Sequence, residues 1–246
     1  MAARLITIPF SHYCEKARWA LARAGLEFVE EGHLPLFTYL PLARAGAGRT
    51  VPAFITAGGR VIADSTEILR HADAHGQAPA LAPPELPEAA TLEDEFDRRL
   101  GPATRRLGYF HLLPSVEGFR ELIATADVPA WQRRAGRTAR PLVVALLRRG
   151  LRIDAEGAAR SRGVIDGVFA DVAARLADGR RYLCGDRFTT ADLTFAALAA
   201  PVLAPSAYAR YLPSARHLPP GFVALVDELR ATPAGAFALR IYADHR

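Results

Sequence analysis

Two hydrophobic periods run along the chain, and the change from one to the other falls near residue 76. RLITI (4–8) is a short β-rich run closed by Pro9. From Cys14, apolar residues recur at Ala17, Leu21 and Ala24, one face of a helix that Gly25 ends. LEFVEE (26–31) alternates apolar and polar positions as a half-buried strand does. A weaker helical stretch lies around 37–45, and PAFITA and RVIA flank Gly58-Gly59 as the arms of a hairpin. A helix over about 64–75 completes the order β-α-β-α-β-β-α, a crossover unit followed by a hairpin, which predicts a mixed four-stranded sheet covered by helices.

The proline-rich stretch 75–88 has little periodicity and reads as a boundary, with a linker over 77–87. It separates a first domain, 1–76, from a second, 88–246. In the second, helical patterns run through 88–112, 115–126, 130–149, 155–178, 190–203 and 220–231, with no strand pattern.

Composition narrows the function classes. The net charge of +5 comes from 31 basic against 26 acidic side chains, and Lys16 is the only lysine. Arg133-Arg134 and Arg148-Arg149 are separated by apolar residues, so no nucleic-acid partner is expected. Two cysteines, Cys14 and Cys184, do not make a disulfide framework and suit a reducing compartment. The N-terminal apolar run is too short for a signal peptide, and Pro201 and Pro205 interrupt the longest uncharged stretch. The expectation is a soluble, cytoplasmic protein with no membrane partner.

Four short motifs bear on chemistry. Ser11-His12-Tyr13-Cys14 opens the first helix. There Ser11 is either a helix cap or a hydroxyl donor to a thiolate, Cys14 is either packing or a reactive thiol, and His12 is a loop residue able to polarise a ligand. Val51-Pro52 precedes the strand AFIT. Asp64-Ser65-Thr66-Glu67 has the spacing of a helix cap. In YLCGDRFTTADLTFA (182–196), Thr189 and Asp192 stand as a capping box, with Phe188 and Leu193 at the positions of a hydrophobic staple.

The element order and these motifs together resemble the cytosolic glutathione S-transferase superfamily, over essentially the whole chain. The resemblance implies an α/β thioredoxin-like domain followed by an all-α domain, in a homodimer. It implies glutathione as co-substrate, a small hydrophobic second substrate and no metal. In a serine-type member the Ser11 hydroxyl would hold the glutathione thiolate, with Cys14 and His12 as alternatives. Arg49, Val51, a cis Pro52, Asp64 and Ser65 would bind the peptide. Tyr109, Phe110, His111 and Trp131 are candidates for the electrophile site. The second domain is longer than usual in this family, with the extra residues around 113–150. Two rival readings stand beside this one: a binding or regulatory protein on the same fold without catalysis, and a thiol-disulfide enzyme using Cys14.

Overall fold

The computed structural model describes residues 2–246. The chain forms two compact units, one of Met1–Leu81 with Ile123–Thr138 and the other of Ala82–Leu122 with Ala139–Arg246. The sequence places all of 88–246 in one helical domain, whereas residues 123–138 pack into the N-terminal unit.

That unit is built from β1 (Arg4–Thr7), α1 (His12–Arg23), β2 (Val29–Gly32), α2 (Tyr39–Ala45), β3 (Ala53–Ile55), β4 (Val61–Ile62) and α3 (Ser65–His75). The sheet order is β2-β1-β3-β4. β1 runs parallel to β2, pairing Leu5 with Glu30, and antiparallel to β3, where Leu5 faces Phe54. β3 and β4 form the expected hairpin, with Gly59 at φ +85° in its turn.

α1 ends in a Schellman motif. Gly25 adopts φ +71°, its N–H donates to the Ala22 carbonyl, and the Leu26 N–H reaches back to Leu21 O at 3.0 Å. That closure takes up the residues just before Val29, so the second strand begins later than the alternation predicts. It is an edge strand with Val29 and Glu30 exposed and Glu31 half-buried. Beneath the sheet, Ile6, Leu42, Ala47 and Ala53 form a buried cluster with Val51 packed against it.

The remaining helices are α4 (Pro87–Leu112), α5 (Val116–Thr125), α6 (Ala130–Thr138), α7 (Arg140–Leu151), α8 (Ala155–Leu176), α9 (Thr190–Leu203), α10 (Ser206–Ala209), α11 (Pro220–Ala231) and α12 (Pro233–His245). The single helical pattern over 130–149 is thus two helices. Pro141 has no N–H to donate and stands in the first turn of the second. α12 was not anticipated, although Thr232 caps it by accepting the Gly235 N–H at 3.0 Å and Pro233 begins it.

α6 belongs to the N-terminal unit, and glycines let the segment in. A Cβ at Gly32 would lie 2.1 Å from the Asp127 carbonyl oxygen, and one at Gly136 would lie 2.9 Å from Leu34 Cδ1.

In the helical unit α9 is apolar on nearly every side and almost wholly buried, which makes it the central helix. α4 and α8 pack against it through Phe96, Phe169 and Phe195, and the Thr104 hydroxyl donates to Leu198 O at 2.7 Å. The predicted capping box is present at its start. The buried Asp192 carboxylate accepts from the N–H and hydroxyl of Thr189 and from the Leu183 N–H, each at 2.8 Å. Burial outweighs these bonds and pushes its carboxyl up to about 6. Phe188 is buried and stacks on His245 at 4.0 Å, tying the cap to α12, and Leu193 is fully buried. Among the described residues no helix is long and apolar enough to cross a membrane.

Candidate active site

Ser11 is the N-cap of α1, with extended backbone and a half-buried side chain. Its hydroxyl accepts from the Cys14 N–H at 3.4 Å, a long bond, and also bears on the Cys14 thiol. Cys14, one turn in, is wholly buried. Burial raises its thiol above the ordinary value, and the opposing influences of the Arg18 charge and the Ser11 hydroxyl do not cancel that rise. His12 is 3% exposed and packs on the Tyr13 ring at 4.6 Å, so it is not the solvated loop residue its position suggested.

Behind Ser11 lies a charged network that the apolar face of α1 does not announce. Glu15, Lys16 and Arg18 are all buried. Arg18 pairs with Glu15 at 3.2 Å and with Glu30 at 2.8 Å, and its third arm donates to the Pro9 carbonyl at 2.8 Å. Arg18 therefore braces the loop that presents Ser11. Lys16 Nζ donates to Thr66 Oγ1 at 3.3 Å, linking α1 to the first turn of α3.

The Val51-Pro52 peptide is cis, with Val51 half-buried and Pro52 buried. Asp64 caps α3, its Oδ1 accepting from Thr66 N–H at 2.9 Å and Glu67 N–H at 3.2 Å, while Oδ2 makes no hydrogen bond among the described residues. Ser65 beside it is 5% exposed. Arg49 is exposed, with its guanidinium carbon 5.9 Å from the centroid of the Tyr39 ring.

The four electrophile-site candidates do not all sit in one unit. Tyr109, Phe110 and His111 lie in the last turn of α4, where His111 stacks on Phe222 at 4.8 Å and burial lowers its pKa. Trp131 lies on α6 in the N-terminal unit, 58% exposed and edge-on to Phe37 at 5.1 Å.

One residue of this region escaped the sequence. Gln132 is 1% exposed, and its Oε1 accepts the Leu34 N–H at 2.9 Å. Its amide nitrogen must then donate to His33 Nδ1, 2.8 Å away, which leaves His33 Nε2–H to donate to Glu31 at 3.1 Å. A polar residue in a helical stretch reads as solvated, and only the partner 98 positions earlier makes it a buried anchor.

A thioredoxin-like domain with a cis-proline beside its sheet and a capped helix on either side, joined to a helical domain, defines the class. Residues 10–75 match the glutathione S-transferase N-terminal domain and residues 155–231 the glutathione S-transferase C-terminal domain, together more than half of the chain. The protein belongs to the glutathione S-transferase superfamily. Residues 76–154, which include α6 and α7, lie between the two matches. Similar solved structures include a glutathione S-transferase from Methylobacterium radiotolerans in complex with glutathione sulfonate, 24% identical (TM-score 0.51, 97% of this chain and 95% of that one). A glutathione S-transferase of Ceriporiopsis subvermispora in complex with glutathione is 19% identical (TM-score 0.64, 99% and 96%). The beta-etherase LigF from Sphingobium is 18% identical (TM-score 0.60, 98% and 99%). A search of curated proteins gave no match.

Proposed function

We propose that the protein is a glutathione transferase of the serine type, joining the sulfur of glutathione to a small hydrophobic electrophile. The observation that supports this most is the contrast at the start of α1. Ser11 offers a half-buried hydroxyl at a helix N-terminus, while Cys14 is sealed in the core with its thiol raised. A free thiol has a pKa of about 8.5 and is mostly protonated at neutral pH. A hydroxyl donor and the dipole of α1 favour its anion, which attacks the electrophilic carbon, forms the C–S bond and expels the leaving group with its electron pair. The Cys14-based reading is disfavoured, because a buried thiol with a raised pKa is a poor nucleophile.

In this proposal the Val51 backbone pairs with the cysteinyl portion of glutathione beside Pro52. Ser65, at the N-terminus of α3, takes the γ-glutamyl carboxylate, and the uncommitted Oδ2 of Asp64 takes the ammonium. Arg49 would give up its contact with Tyr39 to reach a ligand carboxylate. Tyr109, Phe110, His111 and Trp131 remain the candidates for the second substrate. The enzyme would act as a cytoplasmic homodimer, with residues 1–76 binding glutathione and 88–246 contributing to the electrophile site.

Calorimetric titration with glutathione, followed by turnover on a panel of electrophiles, tests the reading. Ser65→Ala should weaken binding, and Ser11→Ala should lower kcat far more than it lowers glutathione affinity. Absence of binding at millimolar glutathione would overturn the proposal. Binding without turnover of any electrophile would leave a glutathione-binding module in its place.

A further inference from the structure

A second feature lies wholly within the helical unit. Pro102, Arg105 and Arg106 of α4 and Gly150, Leu151 and Arg152 at the end of α7 line a cavity of about 260 Å³. Three of its six lining residues are arginines and none is acidic. Some arginines of this unit meet carboxylates, Arg99 with Glu95, Arg162 with Asp166 and Glu228, Arg175 with Glu88 and Arg187 with Glu85, while Arg120, Arg148 and Arg149 make no ion pair among the described residues. The side chains of Arg105 and Arg152 make no hydrogen bond or ion pair among the described residues. Arg106 is oriented by protein acceptors, donating through Nε to Leu151 O at 3.1 Å and through Nη1 to Ser161 Oγ at 2.9 Å, which leaves Nη2 uncommitted. The neighbouring acid, Asp154, caps α8 through the Gly157 N–H at 2.6 Å and forms no ion pair with any of the three.

The backbone adds a separate signal. Arg152 is the C-cap of α7 at φ 51° and ψ 55°, the left-handed conformation that glycine adopts without cost. A long charged side chain therefore stands at a place where glycine would relax the chain, a conformation that Ala204 also adopts as the C-cap of α9. The chain on one side of the cavity is basic too: residues 139–153 of this unit contain four arginines and no acid.

We propose that this cleft is a binding site for a phosphate-bearing small molecule, with Arg105, Arg106 and Arg152 as its ligands. A single carboxylate would satisfy one guanidinium. A phosphoryl group presents three or four acceptor oxygens and up to two charges, enough to engage the guanidinium forks of Arg105 and Arg152 together with Nη2 of Arg106. The cavity holds the equivalent of about nine waters at ~30 Å³ each, room for a phosphoryl group and a small ester or a second phosphate.

The test is calorimetric titration of the full chain with pyrophosphate and with inorganic phosphate at low ionic strength, beside Arg105→Ala, Arg152→Gly and Arg149→Ala. Glycine at position 152 suits the local backbone, so that variant should keep or raise the urea midpoint while losing the ligand side chain. The expected result is saturable pyrophosphate binding, weakened about tenfold or more in Arg105→Ala and in Arg152→Gly and little changed in Arg149→Ala, an exposed arginine outside the cleft. No saturable binding by the unmodified protein overturns the proposal. So does equal weakening in Arg149→Ala, which would mean diffuse attraction to a basic surface, and so does unaltered affinity in both cleft variants.

Discussion

Asp192 offers a quantitative test of how burial and hydrogen bonding compete in this fold. Its carboxylate has no exposed surface and receives three donors at 2.8 Å, two of them backbone N–H groups. Hydrogen bonds to the anion lower a carboxyl pKa and desolvation raises it, and here desolvation wins, at about 6 against an unfolded value near 3.9. Between those values the folded state holds a proton that the unfolded chain has released. The protonated form therefore stabilises the fold fully below about pH 4, and that contribution is lost as the pH rises through 6. A difference of about two pH units corresponds to about 3 kcal/mol.

Asp192→Asn removes the titration while keeping the shape. Its amide oxygen accepts from one of the two N–H groups and its NH2 opposes the other, so the variant should be less stable at pH 4 by about 1–3 kcal/mol. The informative quantity is the gap between wild type and Asp192→Asn in urea denaturation at pH 4, 5, 6 and 7. Other titrating groups cancel in that difference because they lie in both proteins. The gap should shift in favour of the variant by about 2 kcal/mol from pH 4 to pH 7, part of the full effect being lost already at pH 4. A constant gap would show that the three donors balance burial, and one that moves in favour of the wild type that they outweigh it; either would refute the reasoning.

Two further substitutions probe the N-terminal unit. Gln132→Leu leaves the Leu34 N–H without its acceptor and should cost about 1–3 kcal/mol, read as faster amide exchange at Leu34 and in α6. Exchange no faster than wild type would mean that the glycine contacts alone hold the segment. Arg18→Ala strips the buried Glu15 of this ion pair and the Pro9 carbonyl of its donor, so a loss of about 3–5 kcal/mol is expected in chemical denaturation. A variant within about 1 kcal/mol of wild type would remove Arg18 as the brace of the Ser11 loop.

Much of the fold was legible because its signals are local. Gly25 ends α1, Asp64 opens α3 and Thr189 with Asp192 opens α9, each through bonds to groups within a few residues. The hairpin around Gly58-Gly59 and the all-helical texture beyond residue 88 were equally visible. Thr232-Pro233 and Pro141 were also local signals, marking helix starts within stretches where periodicity gave no sharp boundary. At the candidate site, Ser11, Val51-Pro52, Asp64 and Ser65 were legible as motifs, because capping chemistry and the proline sit in the sequence itself.

What tertiary structure decided is which polar groups are buried and what meets them there. Glu15, Lys16 and Arg18 lie off the apolar face of α1, yet Glu30, Pro9 and Thr66 come from other elements to satisfy Arg18 and Lys16. Gln132 is a buried anchor only because Leu34 and His33 reach it from across the chain. The unpaired arginines of the α4–α7 cleft likewise converge from segments some 45 residues apart, as the Arg106–Leu151 bond marks. Hydrophobic period and capping chemistry select the elements residue by residue. The fate of a buried charge depends on a partner that only folding brings within hydrogen-bond reach.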